Sequence, residues 1–148
     1  MATISGGKKF AAALQELVRN LSKSRSVKVG FLAGPTYPDG TPVAMIAAIH
    51  NYGAPRAGIP PRPFFSNTIA QKRSEWPGAV QGLLKANNFD TKKTLQLMGE
   101  AIKSQIQQGI RDTNSPPLKP ATIRRKGFSK PLISSGQLIN SVNYEVTD

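Results

Sequence analysis

The stretch "HNYGAPRAGIPPRPFF", residues 50–65, packs the only histidine of the chain, four of its twelve prolines, two arginines and two adjacent phenylalanines into sixteen positions. Pro60, Pro61 and Pro63 break any helix, and a residue with no N–H cannot serve an inner strand. The regular elements must therefore lie on either side of it.

Upstream, Phe10, Leu14, Leu17, Val18 and Leu21 recur at spacings of three and four, which predicts an amphipathic helix over residues 8–22. In "SVKVGFL" Val27, Val29 and Phe31 alternate with Lys28 and Gly30, the period of a half-buried strand. "GPTYPDGT" turns the chain through Pro35, Pro38 and Asp39-Gly40. Residues 42–51 then read as a short buried helix opened by Pro42, with Val43, Ile46 and Ile49 on one side.

Downstream, Ile69, Trp76, Val80, Leu83 and Leu84 give helical spacing between Phe65 and Asn87, with Pro77 demanding a kink or a fresh start. Asp90 or Thr91 caps a cleaner helix whose stripe is Leu95, Met98, Ile102, Ile106 and Ile110. Between residues 113 and 136 regularity stops: four prolines, five basic side chains and no acid read as a loop or arm. The tail "QLINSVNYEV" predicts one helical turn, then a strand on Val142, Tyr144 and Val146.

These elements predict an α+β protein: one domain over residues 1–148, with a short antiparallel or mixed sheet packed by helices and with long proline-rich, basic loops at about 53–64 and 113–136. Two strands alone are marginal in water. A third comes either from the region of residues 53–64 or from a neighbouring molecule. The start of the chain lacks the charged and apolar pattern of a signal peptide, and no apolar run approaches the roughly 20 residues of a membrane span. The expectation is a protein made in the cytoplasm, with no membrane partner.

Catalytic chemistry is hard to assemble from these residues. There is no cysteine, and His50 has no nearby acid for a dyad or a metal site. The eight acids, Glu16, Asp39, Glu75, Asp90, Glu100, Asp112, Glu145 and Asp148, are scattered without a close pair. The reading is a protein that is not an enzyme and needs no cofactor, with His50 a packed or hydrogen-bonded structural residue.

Twenty Lys and Arg against eight Asp and Glu give a net charge of +12, and the densest basic patch is Lys119, Arg124, Arg125, Lys126 and Lys130. Phosphate contacts select such residues, but only Phe128 interleaves and no base-reading motif is present. Sequence-independent nucleic-acid binding is therefore one reading. The other starts from "AGIPPRPFF", an arm stiffened by proline with little entropy to lose on docking, anchored by Phe64 and Phe65 and carrying Arg62 as a planar cation between two prolines.

Three stretches, in order, resemble the head-to-tail joining proteins of tailed bacteriophages, the neck and tail-completion group. They are "VKVGFL" at 27–32, "AAIHNYGAPRAGIPPRPFF" at 47–65 and "PPLKPATIRRKGFSKPLISSGQLINSVNYEV" at 116–146. The second is similar to the group's A-x-I-H-x-[FY]-G followed by I-P-x-R-P-F. The third is similar to its segment running from P-L through T-I and K-P-L-I to G-x-L-x-x-S. The match departs at Asn51, where an acid is common in the group.

The resemblance implies a structural virion protein, made in the host cytoplasm, that forms a ring, expected to be hexameric, at the head-tail junction. That ring would continue the DNA channel and join other neck and tail proteins. Ile49, His50, Tyr52 and Gly53 would set a helix end. Subunit contacts would fall on Arg56, Ile59, Pro61, Arg62, Phe64 and Phe65 in the first arm and on Leu118, Ile123, Leu132 and Ile133 in the second. Lys119, Arg124, Arg125, Lys126 and Lys130 would face either acidic partner subunits or genomic DNA in the channel.

Overall fold

The longest helix organises everything else. In the computed structural model, which describes residues 6–23, 25–127, 132 and 136–148, this helix runs over Thr91–Asp112. Its start is set by Asp90, whose side chain accepts a hydrogen bond from the Lys93 amide at 3.0 Å. One face, Thr94, Met98, Gly99, Ile102, Ile106 and Ile110, is buried along its whole length, the three-and-four spacing of a core-facing stripe.

The element order is α1 (Gly7–Ser22), β1 (Ser26–Phe31), α2 (Val43–Tyr52), α3 (Phe64–Lys72), α4 (Trp76–Ala86), α5 (Thr91–Asp112), α6 (Pro120–Lys126), the single turn α7 (Gln137–Asn140) and β2 (Val142–Thr147). The fold is α+β. No helix among the described residues is long and apolar enough to cross a membrane.

β1 and β2 pair antiparallel from Ser26↔Thr147 to Phe31↔Val142. The pleat sends Val27, Val29 and Phe31, with Val146, Tyr144 and Val142 opposite them, to one face, and puts Lys28 across from Glu145 on the other. The apolar face lies on α5, where a Cβ at Gly99 would stand 2.5 Å from the Tyr144 ring. α2, α3 and α7 close the core with Val43, Ala47, Phe64 and Leu138.

Arg25 fastens the sheet to the start of α5. Its Nε donates to Asp148 at 2.7 Å and its Nη1 to the Thr91 hydroxyl at 2.7 Å, while that hydroxyl donates to the Asn20 carbonyl at the end of α1.

Several expectations are corrected. Among the described residues the sheet has two strands, and residues 53–64 do not supply a third. They form instead a local bridge between Ala54 and Ile59 around a 3-10 turn at Pro55–Ala57. The segment is therefore not a polyproline arm, because the Arg62 amide donates to the His50 carbonyl at 2.7 Å and draws the chain back along α2. The region 113–136 is not irregular throughout. Lys119-Pro120 starts α6 and Gly127, at φ 81, ends it by donating to the Ile123 carbonyl, the proline-in, glycine-out asymmetry of a short helix.

In α2 the buried positions are Val43, Ala47 and Asn51, so the stripe is shifted from Ile46 and Ile49, which are half-buried. Pro42 stands just before the first helical residue rather than on it. Pro77 makes a fresh start, since α3 passes through a 3-10 turn at Arg73–Glu75 into α4.

Among the described glycines in turns the tightest backbone approach is at Gly53, which sits at φ 78 and ψ 172 with Pro61 N only 2.8 Å from where a Cβ would stand. Gly58 also has positive φ, at 67, but faces open space. In urea unfolding Gly53→Ala is expected to lose about 3 kcal/mol or more, against about 1 for Gly58→Ala. Equal losses at the two positions would contradict this account of the turn.

The Arg25 guanidinium holds the Asp148 carboxyl below the usual carboxylate range. A depressed folded-state pKa gives a contribution present above the unfolded value and lost as pH falls through the folded one. The Arg25–Asp148 pair should therefore be unchanged by NMR from pH 5 to 8 and open only below about pH 4.

Candidate interaction surfaces

The proline-rich stretch is a lock within one chain. Asn51, 4% exposed, lies in the last turn of α2 and faces the start of α3. Its Oδ1 accepts from the Phe65 and Ser66 amides, both at 3.1 Å, and its Nδ2 donates to the Ser66 hydroxyl at 2.7 Å. One side chain thus satisfies two of the donors a helix N-terminus leaves open. Pro63, at φ -76 and ψ 54, makes the tight inverse turn that lets the Phe64 amide donate to the Arg62 carbonyl at 2.7 Å.

Arg62 carries the lock to a distant part of the chain. Its Nε donates to the Pro116 carbonyl at 2.9 Å and its Nη2 to the Pro117 carbonyl at 3.4 Å. Burial holds its guanidinium below the usual arginine range. The fork of donors on a planar cation is what two successive carbonyls require, and an ammonium offers no equivalent. Phe64 completes the arrangement, packing edge-on against Phe31 at 6.0 Å and Phe65 at 6.4 Å.

This placement takes three of the expected subunit contacts into the interior. Arg62, Phe64 and Leu132 are 5%, 2% and 4% exposed, so they serve the interior of their own chain. Ile59, Phe65, Leu118 and Ile123 are half-buried. Arg56 and Pro61 are exposed on the folded loop. Ile133 and Lys130 lie outside the described residues, as does the side chain of Lys126.

The basic residues fare differently. Lys119, Arg124 and Arg125 are exposed on and before α6, a helix with no acid in it. His50 is half-buried and holds the loop through its backbone carbonyl. Gly53 ends α2 by donating to the Ile49 carbonyl at 2.7 Å, while Tyr52 is 74% exposed. Among the described residues no three His, Cys, Asp or Glu side chains gather into a metal-binding group.

The surface that stands out was visible in the sequence as a helix but not as a site. α1 has no buried residue, and its apolar stripe points to water: Phe10, Leu14, Val18 and Leu21 are 71%, 48%, 59% and 47% exposed. A second apolar feature is a groove of about 340 Å³ beside β1. Its floor is Met98, Ile102 and Ile106 of α5, and its walls are Val27 and Val29 of β1, Leu95, and Ile69, Trp76 and Val80 of α3 and α4. Trp76 is steadied there by its Nε1 donating to Gln105 at 2.9 Å.

No protein-family model, curated protein or solved structure matches this chain.

The cap predicts a graded mutational series. Asn51→Ala removes the acceptor of two hydrogen bonds and the donor of a third from a buried site and is expected to cost about 2–3 kcal/mol in chemical denaturation. Asn51→Asp keeps an oxygen that accepts from both amides at a helix start that favours negative charge, and Ser66 can turn to donate, so it should recover more than half of that loss. An Asp variant no better than the Ala variant would contradict the capping role.

Proposed function

We propose that this protein is a structural assembly subunit, forming a homo-oligomeric ring at the head-tail junction of a tailed bacteriophage, where it continues the DNA channel and joins other neck and tail proteins. The observation that carries the reading is α1: an amphipathic helix with an exposed apolar face, on a chain whose other long helix buries its stripe completely. A face of this kind is covered when copies or partners come together. The ordered resemblance of three stretches to the neck and tail-completion group supplies the setting in which that assembly would occur.

The cations on α6 support a subordinate role. Lys119, Arg124 and Arg125 are exposed with no acid on their helix, and a ring lined with such side chains neutralises either acidic neighbours or passing DNA. A purely nucleic-acid-binding monomer needs only this charge and leaves α1 without a purpose.

Sedimentation velocity discriminates the two readings. The purified chain alone should reach a discrete mass that is a fixed multiple of 15.9 kDa, or with its neck and tail partners enter the complex in a fixed number of copies, and either state should be largely indifferent to salt. Its affinity for duplex DNA should be weak and should fall steeply with salt, with a shallower slope in Arg124→Glu/Arg125→Glu. A protein that stays monomeric under every condition yet binds duplex tightly would overturn the assembly reading.

A further inference from the structure

We infer that the free edge of β1, with the apolar groove beside it, accepts one added β-strand from a partner chain, an extended segment whose alternate side chains are apolar and whose flanking residues are acidic. The inference concerns a partner strand and holds whether or not copies of this chain form a ring.

β1 is bonded on one side only. Among the described residues no backbone hydrogen bond joins Ser26–Phe31 to any segment other than β2. In an antiparallel pair the N–H and C=O of one residue point the same way and the direction alternates along the strand, so every second residue of β1 turns both groups away from β2. Ser26 to Val29 are exposed or half-buried and include no proline. A row of donors and acceptors of this kind is a template for another strand.

The groove lies on that free side, since Val27 and Val29 line it and no residue of β2 does. α3 and α4 pack on α5 there, so the helical layer extends past the sheet. From Leu95 to Ile106, at about 1.5 Å per residue, the floor is about 16 Å long. A strand of about five residues spans that length. Phe65 closes one end, its ring 3.4 Å from where a Cβ at Gly30 would stand. At about 30 Å³ for each water-sized group, the volume of about 340 Å³ takes about three aliphatic side chains of three or four carbons. The groove exposes too little apolar surface to hold a helix. A strand needs less, because the edge of β1 supplies hydrogen bonds and the groove selects the side chains.

Charge around the groove selects an acidic partner. Lys28 is exposed on the other face of β1, with Glu145 across from it on β2 and the open edge on its other side. Arg73 is exposed one helical turn beyond Ile69 of the groove wall, and the acid next to it in sequence, Glu75, is paired with Lys72 at 3.4 Å. On a chain of net charge +12, acids flanking an added strand meet cations at both places. A second copy fits less well. The stretch of this chain that alternates apolar residues with an acid, Val142–Thr147, is already paired with β1, and its Val142 is buried in the core.

The capped peptide EVTVTVE, titrated into the full-length protein, tests the inference. At concentrations up to about 1 mM, emission from Trp76, the only tryptophan, should shift to the blue and the amides of residues 26–29 should exchange more slowly. N-methylation separates strand pairing from apolar adhesion. Of two peptides methylated on opposite sets of alternate amides, the one whose methyl groups face β1 should bind about 10-fold more weakly or worse, and the other should bind as the parent does. Lysines in place of the terminal glutamates should weaken binding about 10-fold. Val80→Glu in the groove wall should do the same, with Ile69→Glu used if circular dichroism shows Val80→Glu to be unfolded. Two methylated peptides that bind equally, or no response of Trp76 and residues 26–29 at about 1 mM, would overturn the inference. Slower exchange over residues 26–29 as the protein alone is concentrated would overturn it as well, by making a second copy the occupant.

Discussion

The laying of the apolar sheet face on α5 is the contact on which the fold depends. Two strands cannot stand alone in water. They persist here because Val29, Phe31, Val142 and Tyr144 meet a helix whose buried stripe runs from Thr94 to Ile110. Gly99 lets the Tyr144 ring approach the helix backbone, and the same helix supports Phe64 and Thr68 of α3 on its other flank near Gly109. Helices and strands from both ends of the chain converge on this one element.

The proline-rich stretch is then a clasp around that assembly. The Asn51 cap orders α3, the Arg62 amide returns the chain to α2, and the Arg62 guanidinium grips the carbonyls at 116 and 117 after α5 has ended. A buried arginine is tolerated here because two of its donors meet successive carbonyls in a fork geometry. The rigid backbone that suits proline for docking onto another surface suits it equally for docking onto its own. Residues such as Arg62 and Phe64, conspicuous in the sequence, are therefore occupied within one chain, and surface for a partner must be sought elsewhere.

Much of this was legible in the residues. Helical period marked α1 and α5, alternation marked β1 and β2, Asp90 marked a cap and Pro77 a fresh start. The misreadings have physical causes. Proline excludes helix and inner strand but does not say whether the resulting segment projects or folds back; that was decided by Asn51 and by the Arg62 amide, whose partners lie fourteen and twelve residues away in sequence. α6 was hidden because its limits are a proline and a glycine that also mark loops. The stripe of α1 looks like any core-facing stripe in one dimension. Only the packing shows that it is left uncovered, and the groove beside β1 is built from three separated segments that no local pattern joins.

On the assembly reading proposed above, the same division of labour, a clasp turned inward and a helix left outward, would give assembly a defined place in the molecule. Hydrogen exchange followed by mass spectrometry, at protein concentrations below and above assembly, tests it most directly. The account predicts that residues 50–65 are already protected in the separated subunit and change little, while residues 10–21 gain protection on assembly. Protection gained over 50–65 with none over 10–21 would contradict it.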